Sequence, residues 1–197
     1  MNVVVPTGNF GNILAAYFAK QMGLPIQKLI IASNENKVLV DFFDTGAYDR
    51  NRDFILTTSP SMDILVSSNL ERLLYLMADE STEAVQTFMD QLKEIGRYEV
   101  TEAMKEKAKD FYADYATEEE VAAQIAALYH ADGYVIDPHT AVAAHVANTY
   151  VAETDDHTPI IIASTASPYK FPQAVLTAID PEFSDDSMEE MLDRLRE

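Results

Sequence analysis

Residues 6–12 read Pro-Thr-Gly-Asn-Phe-Gly-Asn, and this spacing of glycine and asparagine suits one task above others, the holding of an anion. Gly8 and Gly11 carry no side chain, so a backbone built on them turns tightly and comes close to a ligand. Asn9 and Asn12 tolerate unusual backbone angles and offer amide donors. A helix starting here would aim its unpaired N–H groups and the positive end of its dipole at whatever fills the turn. The pattern is not a P-loop, since no Gly-Lys-Ser/Thr follows, nor a dinucleotide Gly-x-Gly-x-x-Gly. Gly8, Asn9, Phe10, Gly11 and Asn12 therefore read as a phosphate cradle, set against the blander reading of a plain strand-to-helix turn.

A second candidate is Ser164-Thr165-Ala166-Ser167-Pro168-Tyr169-Lys170-Phe171, which follows the apolar run Ile160–Ile162. Its hydroxyls emerge at the carboxyl end of a strand, where open α/β sheets bind ligands. Lys170 is the one charged residue between 158 and 179, and an isolated cation beside hydroxyls suits an anion. A helix cap at Ser167 with a surface lysine is the competing reading. Asn34-Glu35-Asn36-Lys37 and the hydroxyl-rich Thr57–Asp63, which contains Ser59 and Ser61, read first as helix-start caps and second as substrate contacts. The histidines at 130, 139, 145 and 157 form no metal set: 139 and 145 fall on different helix faces, and no carboxylate pair completes a cluster. No metal site is expected.

Strands and helices must position these groups. Val3–Val5, Leu29–Ile31 and Ile160–Ile162 are aliphatic without alternation, as strands buried on both faces of a parallel sheet would be, and Tyr134–Ile136 is a weaker fourth. Helices are expected over Gly11–Met22, Met62–Met77, Ser81–Ile95, Thr101–Tyr112 (its stripe running on to Tyr115), from the Thr117/Glu120 capping box, from Asp137-Pro138 to about Val151, and over Asp185–Arg196. Thr45–Asn51 and Glu153–Pro159 read as mobile connections. A strand–loop–helix–strand unit opens the chain, and the first buried strand begins at residue 2 with nothing before it to complete the sheet.

Composition narrows the classes further. The 197 residues carry 14 basic and 33 acidic side chains, a net charge of −19, and are 48% hydrophobic. That is a globular composition which repels nucleic acid and anionic membranes. The acidity lies beyond residue 78, so the neutral first third can take an anion without opposition. No apolar run approaches the roughly 20 residues that span a bilayer, and no signal-peptide pattern opens the chain. Zero cysteines exclude disulfides, thiolate metal sites and a cysteine nucleophile. A cytoplasmic protein acting on small molecules is expected.

Taken in order, Val5–Asn12, Ser33-Asn34-Glu35-Asn36, Phe42-Phe43-Asp44-Thr45-Gly46, Ser59-Pro60-Ser61-Met62-Asp63-Ile64, Asp137-Pro138-His139-Thr140-Ala141 and Ser164–Phe171 resemble threonine synthases, over nearly the whole chain. The resemblance implies an α/β fold with a parallel sheet flanked by helices, the tryptophan-synthase-β-like fold of type II pyridoxal-phosphate enzymes, helix-rich and incomplete in this chain. It implies conversion of O-phospho-L-homoserine and water to L-threonine and phosphate, the last step of threonine biosynthesis. Gly8, Asn9, Phe10, Gly11 and Asn12 would hold the phosphate of pyridoxal 5'-phosphate and Thr165 would meet its pyridine nitrogen. Asn34, Ser59, Ser61, Ser167 and Lys170 would contact substrate.

One departure sets the expectation for activity. In the family the Schiff-base lysine lies upstream of the glycine–asparagine loop, whereas this chain's lysines are 20, 28, 37, 93, 105, 107, 109 and 170. Residues 1–197 thus read as the C-terminal portion of a threonine synthase, inactive alone, with no catalytic residue of its own and an exposed edge that favours self-association. The alternatives are a related lyase acting on another phosphorylated amino acid, and a non-catalytic anion-binding module of the same fold.

Overall fold

Alternate residues of two central strands, β1 (Asn2–Pro6) and β2 (Leu29–Ser33), feed two separate cores, which is why neither strand alternates in polarity. Val5, Leu29 and Ile31 enter the first core, while Val4, Ile30 and Ala32 enter the second. In this computed structural model all residues are described except 181, 184–186 and 197. The elements follow as α1 (Gly11–Gln21) between the two strands, then α2 (Val38–Thr45), β3 (Ala47–Asp49), α3 (Leu70–Met77), α4 (Thr82–Glu94), β4 (Arg97–Glu99) and α5 (Glu102–Lys107). The chain continues through β5 (Phe111–Tyr115), α6 (Glu118–Asp132), α7 (Pro138–Thr154), β6 (Ile160–Ile162), α8 (Pro172–Ile179) and α9 (Met188–Arg194). Four strands form a parallel sheet in the order β5-β2-β1-β6, and β3 pairs antiparallel with β4 beside it. The fold is the expected α/β architecture.

Several expectations are corrected. The fourth strand is Phe111–Tyr115, not Tyr134–Ile136, which runs irregularly between the left-handed Gly133 and Asp137. Met104, Ala108, Phe111 and Tyr115 mimic one helical stripe, yet α5 stops at Lys107 and residues 111–115 pair with β2, Leu29 opposite Phe111. The expected helix 62–77 begins only at Leu70, because side chains elsewhere take up the polar groups of residues 63–67. Ile160–Ile162 is an edge strand with Ile161 52% exposed, not a strand buried on both faces.

Neither connection read as mobile is loose. Thr45–Asn51 closes α2 at the left-handed Gly46 and becomes β3, whose Tyr48 is buried against Tyr98 of β4 at 5.2 Å. Asp156 ties down 153–159: it accepts from Asn2 Nδ2 at 2.9 Å and Tyr150 Oη at 2.7 Å, and from the Thr158 N–H at 2.9 Å. Those bonds, Thr158's foremost, hold its carboxyl far below the ordinary carboxylate range. The start of the expected helix 185–196 lies outside the described residues; Ser187 caps the part seen, in a reciprocal box with Glu190.

Helix α7 places the remaining site residues. Asp137 caps it by accepting from the His139 and Thr140 N–H groups at 2.9 and 3.3 Å, and Pro138 supplies the preset first-turn φ. Small residues at 141, 143, 144 and 147 are buried and let the helix lie close under the sheet. Among the described residues no helix is long and apolar enough to cross a membrane.

Candidate functional site

The turn from β1 to α1 owes its shape to support from behind. Phe10 takes the left-handed conformation, φ 63°, at the helix N-cap, a strained position for a bulky residue. Burial of its ring against Phe43 and Phe111, with centroids 5.9 and 6.0 Å away, holds it there. Gly8 and Gly11 have no positive φ. A Cβ on Gly8 would lie 2.6 Å from the Ser61 backbone oxygen, so this glycine admits the 59–62 turn. A Cβ on Gly11 would meet only Asn69 Nδ2, at 3.6 Å, and nothing among the described residues demands that this position be bare.

The carbonyls of the turn are drawn away from its mouth. Gly8 O accepts from Ser67 Oγ at 2.8 Å, and Asn9 O accepts from Asn69 Nδ2 and N at 2.7 and 3.1 Å. Arg72 donates to Asn69 Oδ1, which fixes the amide orientation. Ser67 is held in turn by its N–H, which donates to Tyr48 Oη at 2.7 Å. Burial pushes the Tyr48 hydroxyl up to about 12, against the lowering effects of the Ser67 bond and Arg52, so it stays protonated and donates to Leu65 O. The small sheet β3–β4 thereby buttresses the turn. With the carbonyls engaged, the N–H groups of Gly8 through Asn12 have no acceptor among the described residues. They face outward at a helix N-terminus, the arrangement that binds phosphate.

This turn lines a cleft of about 320 Å³ together with Ser61, Met62, Asn69, His139 and Thr165. The volume suits a small ligand, and no carboxylate lines it to repel an anion. Thr165, at the carboxyl end of β6, makes no hydrogen bond to other described residues, so its hydroxyl is available to a ligand. The two segments that the sequence singled out, Gly8–Asn12 and Thr165, share one cleft at one edge of the sheet.

The remaining candidates divide. Ser61 lines the same cleft. Lys170 lines a different one, about 300 Å³, with Thr57, Thr58, Pro60, Phe171 and Met191, and the turn at residues 60–62 borders both. Ser167 lines neither; its carbonyl accepts from the Lys170 N–H at 3.0 Å, and its hydroxyl caps no helix. Asn34 and Ser59 are 1% and 0% exposed and serve a buried network. Asn34 Nδ2 donates to Asp63 Oδ1 at 2.7 Å and lies 3.0 Å from Ser59 Oγ. Asp63 also accepts from Asn36 Nδ2 at 3.0 Å, Thr57 Oγ1 at 2.7 Å and the Thr57 N–H at 3.0 Å. This hub shapes the wall between the clefts. Sequence reasoning placed Asp63 in a capping turn and left His139 aside as no metal ligand; Asp63 takes its part from Asn34 and Asn36, distant in sequence, and His139 from the cleft it shares with the 8–12 turn.

Residues 140–197 match the family model described as threonine synthase, C-terminal. Over 181 residues the chain is 48% identical to threonine synthase-like 1 of Homo sapiens, a match that takes in 91% of the chain and 24% of that protein. It is 42% identical to threonine synthase of Saccharomyces cerevisiae over 191 residues, 89% of the chain and 37% of that enzyme. A crystal structure of pyridoxal-phosphate-bound threonine synthase from Brucella melitensis superposes on the whole chain with a TM-score of 0.86 at 39% identity, over 41% of its own length. The chain thus spans 24% to 41% of the length of these relatives.

Proposed function

We propose that this chain, which matches threonine synthases in sequence and fold and carries their C-terminal domain, is the C-terminal portion of such an enzyme and grips pyridoxal 5'-phosphate at two points. The observation that carries the reading is the shared cleft: a backbone phosphate cradle at Gly8–Asn12 and the unengaged hydroxyl of Thr165 line it together. The whole enzyme would convert O-phospho-L-homoserine and water to L-threonine and phosphate. The cofactor, when bound, supplies an electron-withdrawing ring for the carbon bearing the substrate's amino group. The chain's own residues orient it. The cradle N–H groups fix the phosphate, and the neutral Thr165 hydroxyl meets the ring nitrogen without holding a proton on it as a carboxylate would. Ser61 in the same cleft and Lys170 beyond the 60–62 turn are assigned to substrate, while Asn34 and Ser59 support that turn from behind.

None of the eight lysines lines the cleft, and most make surface ion pairs such as Lys20–Asp110 and Lys109–Glu106. On this reading the lysine that joins the cofactor covalently comes from another part of the enzyme. Pyridoxal phosphate followed by borohydride and peptide mass spectrometry should yield no single stoichiometric lysine adduct, and the chain alone should not turn over phosphohomoserine. Robust turnover by these 197 residues would sink the assignment.

The half-exposed edge strand β6 supports a further expectation. Among the described residues no strand pairs with its outer side, and Ile161 is open to solvent, a template for pairing with another chain. Light scattering should report self-association that rises with concentration; a strict monomer at high concentration contradicts it.

A further inference from the structure

His139 stands out as a buried polar side chain left half-satisfied at the wall of the cleft. It is 2% exposed, and its Nε2 has no hydrogen-bond partner among the described residues. Its other nitrogen is engaged: Nδ1 lies 3.0 Å from Asp137 Oδ1. Asp137 is fixed by the His139 and Thr140 N–H groups and by the Thr140 hydroxyl, which itself lies 3.1 Å from Ser164 Oγ. Burial works to raise the Asp137 pKa, but the hydrogen bonds from His139 and Thr140 outweigh it and leave the carboxyl below its ordinary value. A carboxylate only accepts, so the Nδ1–H donates to it, and this partner fixes the tautomer and leaves Nε2 the free ring nitrogen. Natural proteins rarely leave such an atom without a partner unless a water or ligand supplies one.

We propose that His139 is a ligand-contacting residue of the cleft: Nε2 accepts a hydrogen bond from a hydroxyl of the phosphorylated ring compound held by Gly8–Asn12 and Thr165, and Asp137 is the positioning residue that sets the imidazole. The proposal rests on the cofactor reading above and adds a residue to it. Three observations converge. The ring lines the same cleft as the cradle and Thr165. Its free nitrogen is buried at the cleft wall with no partner among the described residues, so a ligand hydroxyl reaches it only with a small shift of that wall. The hydrogen-bond chain from Asp137 through Thr140 to Ser164 ties the imidazole to the segment that carries Thr165. The Phe171 ring packs on the imidazole, with centroids 5.0 Å apart, and helps to hold it in place. An imidazole held in this way is set for one bond on one side.

The test uses the full chain labelled with 15N-histidine and pyridoxine 5'-phosphate, which has the ring and phosphate arm but no aldehyde to react with surface lysines. The His139 Nε2 resonance, assigned by its loss in His139→Asn, should move on saturation while those of the exposed His130 and His157 stay. Inorganic phosphate in a parallel titration separates the sources: movement with the ring compound alone supports a hydroxyl of that compound as the donor, and equal movement with phosphate alone overturns it.

Asparagine at 139 keeps a donor for Asp137 but nothing where Nε2 stood, and should weaken pyridoxine 5'-phosphate binding about tenfold, the loss of one buried hydrogen bond. Glutamine, whose amide reaches the Nε2 position, should recover part of that loss. A merely structural histidine predicts neither the shift nor this order. Binding by the wild type with Nε2 unmoved, or with both variants within twofold, overturns the proposal while the cofactor reading stands. If the wild type binds neither compound, the cofactor reading fails and the proposal with it. Should the asparagine variant not fold, the wild-type resonance and the glutamine variant decide.

Discussion

Gly11→Val should lower the affinity of the chain for pyridoxine 5'-phosphate by about 100-fold while leaving it folded. The protein itself has room for the new side chain. An added Cβ meets only Asn69 Nδ2, in ordinary contact at 3.6 Å, and the residue has no positive φ. The helix-propensity difference between glycine and valine is also small, well under 1 kcal/mol. The two methyls instead stand over the N–H groups of the first helical turn and deny a phosphate about two of its charge-assisted bonds, each worth about 1.5–3 kcal/mol. Calorimetric titration and a thermal melt on the same sample check both halves. Gly8→Ala is the contrasting control, because its Cβ collides with the Ser61 backbone oxygen at 2.6 Å and should cost about 1–3 kcal/mol of stability. If the valine variant binds as well as wild type, the cradle holds nothing.

Asp63→Ala should cost about 3 kcal/mol and lower the melting temperature by on the order of 10 °C. The carboxylate accepts four bonds, two of them from the side chains of buried asparagines, Asn34 and Asn36. Alanine leaves these donors in a site closed to water, and an unsatisfied buried donor costs about 1–3 kcal/mol. Asn34 retains Thr57 Oγ1 and Ser59 Oγ as neighbours, which limits the loss. The 57–63 turn should loosen as well, so protease nicking there should quicken. A melting temperature within about 3 °C of wild type would mean that the hub carries little stability.

What the sequence disclosed follows the reach of each interaction. Val3–Val5 and Leu29–Ile31 were legible because a strand buried on both faces shows a local signature, an aliphatic run with turn residues on either side. The Asp137-Pro138 cap and the Thr117/Glu120 box were legible because capping is settled within three residues. Thr165 and the 8–12 turn were placed in one cleft by a rule about strand ends in parallel sheets. Strand β5 was hidden, since Phe111 and Tyr115 continue a helical spacing from Met104 and only pairing with Leu29–Ser33 makes them a strand. The left-handed Phe10 was hidden as well. Two glycines flank it nearby, and the residue that turns the chain is one whose ring the first core holds in place. Tyr48, Ser67 and Gly8 form a support chain across three segments, a relation no local pattern records.

The order β5-β2-β1-β6 carries a kinetic cost. The central strand β1 pairs on one side with β2, Val3 opposite Leu29, and on the other with β6, Asn2 opposite Ile160. The first pairing closes a short loop and the second spans most of the chain, and such non-local parallel pairing slows folding. During synthesis, at about 5–20 residues per second, β1 stands ready with one side unpaired for on the order of 10 s before residue 160 leaves the ribosome. Through that interval the edge that will meet β6 is a hydrogen-bonding template of valines, open to other nascent chains. Heat-shocked or crowded cells should therefore lose this protein at the ribosome sooner than they lose copies already folded, and slowing translation between residues 115 and 160 should raise the aggregated fraction.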